Sequence, residues 1–152
     1  ILHHGLTAYP FQLECRLALP AGHRLERHAE LTPELLAGET IIAMGPDHMT
    51  HRRMRSAFQD AGITWAPRVH THLFKNVVSF VREGLGVALL DRPALDYDQS
   101  GRVTSRAFLP LVAMDMAIVV SRMRPLSAVG REFLELLIDR LEPVTLGGVH
   151  RD

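Results

Sequence analysis

The 152-residue sequence has a single cysteine, Cys15, so no internal disulfide staples it. A lone thiol suits a reducing compartment. Charge of one sign is also missing: 17 Lys and Arg balance 17 Asp and Glu. Neutralising phosphates is the source of non-specific DNA affinity, so a balanced chain does not look like the part of a protein that grips DNA. Apolar runs are short. Stretches such as Val77 to Val81 and Ala117 to Val120 fall well below the roughly 20 residues of a membrane-spanning helix. No basic segment followed by an apolar stretch opens the sequence, so no signal peptide is read and a cytoplasmic location is expected. Opening on Ile1 and Leu2, the sequence reads as a piece of a longer chain. Catalytic signatures are lacking as well: no G-x-S-x-G elbow, P-loop, G-x-G-x-x-G or H-E-x-x-H occurs. Asp91, Asp96, Asp98 and Asp115 are scattered, with no acid–base pair. An enzyme is not expected, and no cofactor is called for.

What is present is 47% hydrophobic residues in patterns that build a core. Cys15 to Leu19 alternates apolar and polar residues before Pro20-Ala21-Gly22-His23, which predicts a half-buried strand and a turn. Thr32 and Pro33 suit an N-cap and first helical position, predicting a short helix that Gly38 stops. Thr40 to Met44 predicts a buried strand. Thr50 to Ala61 predicts an amphipathic helix with Met54, Ala57 and Phe58 inward and Gly62 closing it. A short strand ending at Val69, a helix over Leu73 to Glu83 and a buried strand over Val87 to Leu90 follow. Val103 to Phe108 and Met114 to Ser121 predict two strands. Ser127 to Leu141 predicts the last helix, carrying Phe133, Leu134, Leu137, Ile138 and Leu141. The residues after Pro143 read as a flexible tail. Strands alternating with helices imply an α/β architecture with a mainly parallel sheet covered on both sides.

The wording of these elements resembles the effector-binding domain of LysR-type transcriptional regulators. Leu17-Ala18-Leu19-Pro20-Ala21-Gly22-His23-Arg24-Leu25 is similar to the family's strand-and-turn phrase ending Pro-x-x-His-Pro-Leu, with Arg24 in place of the usual proline. Leu31 to Ile42 resembles the next segment. Val81-Arg82-Glu83-Gly84-Leu85-Gly86-Val87-Ala88-Leu89-Leu90 is the most diagnostic phrase, a Gly-x-Gly pair between a helix and a buried strand. Arg124-Pro125-Leu126-Ser127, followed by Phe133, completes a likeness running in family order over residues 15 to 141. Phe108 to Arg124 further resembles the branch of lysine-biosynthesis and opine-catabolism regulators.

The resemblance implies a two-lobed fold of the periplasmic-binding-protein type with the effector in the interlobe cleft. Residues 1–14 would then end a first-lobe strand and its crossover, and 15–108 would form a nearly complete second lobe. Residues 109–141 would cross back to the last strand and helix of a partial first lobe, with 142–152 as the tail. It further implies a homodimer or homotetramer, a small-molecule effector, and DNA contact through a winged helix-turn-helix upstream of this sequence. A solute-binding protein for transport has the same fold and is the alternative reading; upstream sequence separates the two.

Residues for the effector are nominated on two grounds. Met49, Thr50 and His51 open the second long helix, and His70 and His72 precede the next; a helix N-terminus presents unpaired N–H groups that suit a carboxylate. The resemblance places both loops in the cleft, with His3 or His4 approaching from the other lobe. Against these stand blander readings: Thr50 as a simple N-cap, His72 as a cap, His3-His4 as surface residues, and Arg52, Arg53 and Arg55 as a solvated face. Nine histidines invite a metal, with His48/His51 and His70/His72 as pairs, but neither pair comes with carboxylates at ligand spacing, and no metal site is expected. The resemblance also implies that the helix over Leu73 to Glu83 packs against a partner subunit. Phe74, Val77 and Phe80 cannot all face one narrow core, so some of them are candidates for that contact, with ordinary burial against the sheet as the alternative. With zero net charge and no recognition helix, residues 1–152 alone are expected not to retain operator DNA specifically. Titration against operator-containing DNA at moderate salt checks this, and sequence-specific retention would refute it.

Overall fold

The computed structural model of the chain describes residues 5–151. The chain divides into two compact units, residues 15–114 and the combination of 1–14 with 115–152. The strands are β1 (Leu6–Pro20), β2 (Glu30–Leu31), β3 (Ile42–Met44), β4 (Val69–Thr71), β5 (Ala88–Asp91) and β6 (Val103–Ser121). The helices are α1 (Met49–Asp60), α2 (Phe74–Arg82), α3 (Arg92–Asp96) and α4 (Ala128–Leu141). One sheet has the order β2-β6-β1-β5, and β3 pairs with β4 separately.

Alternation of side chains along the strands gives the 15–114 unit two cores. Cys15, Leu17 and Leu19 of β1, Ile41 and Leu89 join Met54, Ala57 and Phe58 of α1 in one cluster. Ala18, Ile42, Met44, Ala88 and Leu90 point the other way and join Val77, Val78 and Val81 of α2. Since successive strand residues face opposite sides, α1 and α2 cover opposite faces of the strands. Each large apolar side chain fully buried in this way contributes roughly 1.5–3 kcal/mol of transfer free energy.

The sheet is mixed where a mainly parallel one is expected. β2·β6 and β3·β4 are parallel, but β1 runs antiparallel to β5, with Leu17 opposite Leu89 and Ala18 opposite Ala88. The two strands predicted over 103–108 and 114–121 form one strand of 19 residues. Its proline, Pro110, is exposed and withholds only its own N–H from the ladder. The helix predicted from Thr32 to Gly38 is a turn, closed by the Leu36 N–H donating to the carbonyls of Thr32 and Pro33. Arg24, where the family phrase has proline, forms an ion pair with Glu39; the imidazole of His23 approaches the same carboxylate at 3.5 Å.

Glycine terminates both long helices of this unit. The N–H groups of Gly84 and Leu85 donate to the carbonyls of Val81 and Phe80, and those of Gly62 and Ile63 donate to Gln59 and Phe58. These are paired Schellman closures, and each needs the positive φ that Gly84 and Gly62 adopt.

In the other unit, Ser127 caps α4 by accepting from the Gly130 N–H at 3.1 Å. Leu134 and Ile138 are buried, whereas Phe133, expected inward, is 64% exposed. The segment read as a flexible tail is hydrogen-bonded: Thr145 bridges Leu13, and Leu146 and His150 donate to the carbonyls of Gln12 and Pro10.

Gly86 has a separate task. Val87 donates to the Thr40 carbonyl and its own carbonyl accepts from Ile42, both at 2.9 Å. A Cβ on Gly86 would collide with that Thr40 carbonyl. Backbone cannot yield as a flexible side chain does, so Gly86→Ala is expected to destabilise by about 2 kcal/mol or more. The measurement is the urea midpoint at unchanged slope; an unaltered midpoint would contradict this account.

Candidate functional site

The two parallel strands β3 and β4 end side by side, with Met44 in register with Thr71. The Gly45 N–H donates to the Thr71 carbonyl at 3.0 Å, drawing the two outgoing loops together. α1 starts from one loop and α2 from the other. In open α/β sheets the carboxyl ends of strands are where ligands bind.

The N-cap of α1 is His48. Its Nδ1 accepts from the Thr50 N–H at 3.2 Å, so that nitrogen carries no proton, and the Thr50 hydroxyl 2.8 Å away donates to it as well. Thr50, considered above as an N-cap, is instead the second helical residue; it is 2% exposed and spends its hydroxyl on His48. Sequence reasoning passed over His48 as a cap because Ser, Thr, Asp and Asn lead that position. Met49 is half-buried against the core cluster of α1.

His51 is a buried brace. The Trp65 indole N–H donates to its Nε2 at 3.1 Å, which fixes the proton on Nδ1, and Nδ1 donates to the Met44 carbonyl at 2.9 Å. With both nitrogens committed, His51 has none left for a ligand or a metal, which removes His48/His51 as a ligand pair. His70 is exposed and stacks on His51, ring centroids 5.6 Å apart. Among the described residues no group of three His, Cys, Asp or Glu side chains is placed to hold a metal ion. His3 and His4 lie outside the described residues.

His72 is exposed and does not cap α2; Leu73 holds that position and no side chain bonds there. The hydroxyl of Thr71 accepts from the Leu73 N–H at 3.4 Å instead. The His72 ring lies across Gly45: a Cβ there would come within 2.5 Å of its Cε1. Gly45 is thus the space that the imidazole occupies, a close approach that no local pattern discloses.

These placements define a hollow of ≈ 260 Å³ lined by Met44, Gly45, Asp47, His48 and His72. Of the residues nominated from sequence, His72 lines it. Thr50 and His51 line a separate crevice of ≈ 10 Å³ with Trp65, which is about enough for a single water molecule. The hollow combines two imidazoles and one carboxylate, and His48, the N-cap of α1, sets it beside the start of that helix, where leading N–H groups have no partner within the helix.

Burial holds the His48 imidazole below its usual pKa, the Arg52 guanidinium adds to the effect, and the Asp91 carboxylate partly opposes it. Neutrality is what the cap requires, because a protonated Nδ1 cannot accept.

The family described as LysR substrate binding domain matches residues 3–142. The chain belongs to this family, the effector-binding domains of LysR-type transcription regulators, which are not enzymes. It is 31% identical over 141 residues to the regulatory protein NocR of Agrobacterium tumefaciens strain T37, covering 91% of this chain and 46% of that protein. It is 30% identical over 116 residues to the transcriptional activator protein LysR of Escherichia coli K12, covering 76% of this chain and 37% of that one. The regulatory domain of CcmR from Synechocystis PCC6803, solved in complex with 2-PG, shares the fold with a TM-score of 0.69 at 15% identity, covering 92% of this chain and 69% of that one. The chain therefore spans about half the length, or less, of the curated relatives it matches. No helix among the described residues is long and apolar enough to cross a membrane.

The His48 cap carries a pH signature. Its folded pKa is below the unfolded value of 6.5, so the unfolded chain takes up the proton first. The stability this cap contributes is fully present above about pH 6.5 and is lost as pH falls through the lowered folded value. His48→Asn keeps a capping acceptor without a titrating ring. Wild type is expected to lose more denaturant resistance than His48→Asn as pH is lowered from about 7 to about 5; equal losses would show that the cap does not titrate as described.

Proposed function

We propose that this domain senses a small carboxylate-bearing metabolite, an amino-acid derivative, at the hollow where α1 and α2 begin, and so controls transcription by the regulator to which it belongs. The observation that carries the reading is the convergence of the α1 N-terminus, the His48 cap and the His72 ring at the carboxyl ends of two paired parallel strands. A carboxylate would be held by first-turn N–H groups and the positive end of the helix dipole. Asp47, on the same wall, would hold an ammonium group, so the lining favours a zwitterion over a simple anion. The CcmR regulatory domain supports a small-molecule ligand for this fold through its complex with 2-PG.

DNA contact belongs, in this reading, to a winged helix-turn-helix outside residues 1–152, and the regulator works as a homodimer or homotetramer. The ligand shifts the equilibrium between regulator states only by its differential affinity for them. Family membership favours this reading over transport solute binding.

Calorimetry with a panel of amino acids and their N-substituted derivatives identifies a binder, and two variants then locate it. His72→Ala removes the imidazole, and Gly45→Ala displaces it while leaving it in the chain. Each is expected to weaken binding by about tenfold, the worth of one hydrogen bond to a charged group. A ligand bound with unchanged affinity by both variants would place the site elsewhere.

A further inference from the structure

The 15–114 unit holds a second cavity, larger than the hollow above. A cavity of ≈ 510 Å³ lies between α2 and the segment formed by α3 and residues 97–100. Known small-molecule sites span roughly 300–1,000 Å³. Phe74 and Val78, one turn apart on α2, give it an apolar wall, and Tyr97 faces them with 77% of its surface exposed. Lys75 and Arg82, two turns apart, supply the charged edge.

Charge bookkeeping decides what would enter. Arg82 is neutralised within the cavity by Asp98 at 3.5 Å. The carboxylate of Asp98 is itself only 5% exposed and also accepts from the Ser100 hydroxyl at 2.6 Å. That leaves neither member of the pair seeking a partner. The ammonium of Lys75 has no acceptor among the described residues. One uncompensated positive charge therefore stands at the edge of an apolar, aromatic-walled cavity. We infer that this cavity is a second small-molecule site, distinct from the α1–α2 hollow, for an aromatic monocarboxylate whose ring enters between Val78 and Tyr97 and whose carboxylate meets Lys75.

The inference does not depend on the reading of the first hollow, and the test keeps the two apart. Phenylacetate is titrated into the ¹⁵N-labelled chain, with benzyl alcohol as the uncharged control. Saturable shifts are expected at the amides of Lys75, Ser79 and Tyr97, with benzyl alcohol binding about tenfold more weakly for want of the charge. Lys75→Gln, at an exposed position that leaves folding intact, should bring phenylacetate down to the level of benzyl alcohol. Ala94→Phe, which fills the cavity from α3, should abolish both. His72→Ala should change neither. Absence of saturable shifts at these amides would overturn the inference. Shifts centred on Gly45 and His72, or phenylacetate binding that survives both Lys75→Gln and Ala94→Phe, would overturn it as well.

Discussion

Two hydrogen bonds about Val87 join the β3–β4 pair to the rest of its unit. Val87 donates to Thr40 and accepts from Ile42, and these bonds carry the strand pair onto the end of β5. Everything that forms the candidate site is hung on that pair: the two outgoing loops, the start of α1 and the start of α2. The alternation of side chains through β1, β3 and β5 then seats α1 on one face and α2 on the other. Gly86 is the residue that permits the approach. A motif recognised in the sequence as a mark of family is thus, physically, a place where backbone approaches backbone too closely to admit a side chain.

The histidines show how one residue type is divided among tasks by its surroundings. His48 is an acceptor kept neutral by burial, His51 an internal brace with both nitrogens used, and His72 an exposed ring resting on a glycine. Sequence placed His51, Thr50 and His72 in one group because they sit near helix starts. What sorts them is contact between residues distant along the chain: Trp65 reaches His51 across 14 positions, and His72 meets Gly45 through strand pairing. Local pattern holds no record of either.

The fold was more legible than the site, and for the same reason. The stops at Gly62 and Gly84, the start at Ser127 and the apolar faces of α1 and α2 are determined within a turn or two of chain, so they could be read off. The single strand from Val103 to Ser121 was not legible, because the residues about Pro110 look like a break when they are read without their neighbours. Nor was the turn at Thr32–Gly38, where suitable capping residues are followed by too short a segment to sustain a helix. Phe133 shows the converse failure. Its spacing along α4 fits an inward face, yet burial depends on what the neighbouring structure offers, and Leu134 and Ile138 take the covered positions.

The brace at His51 has one consequence of its own. The indole that it binds belongs to Trp65, the single tryptophan of the chain, and that ring also packs edge-on against Phe58 at 5.1 Å. Tryptophan emission from this domain is therefore light from one address. It reports the polarity and packing at the back wall of the α1 start, where the same imidazole grips the Met44 carbonyl, and it is silent about events that leave that wall undisturbed.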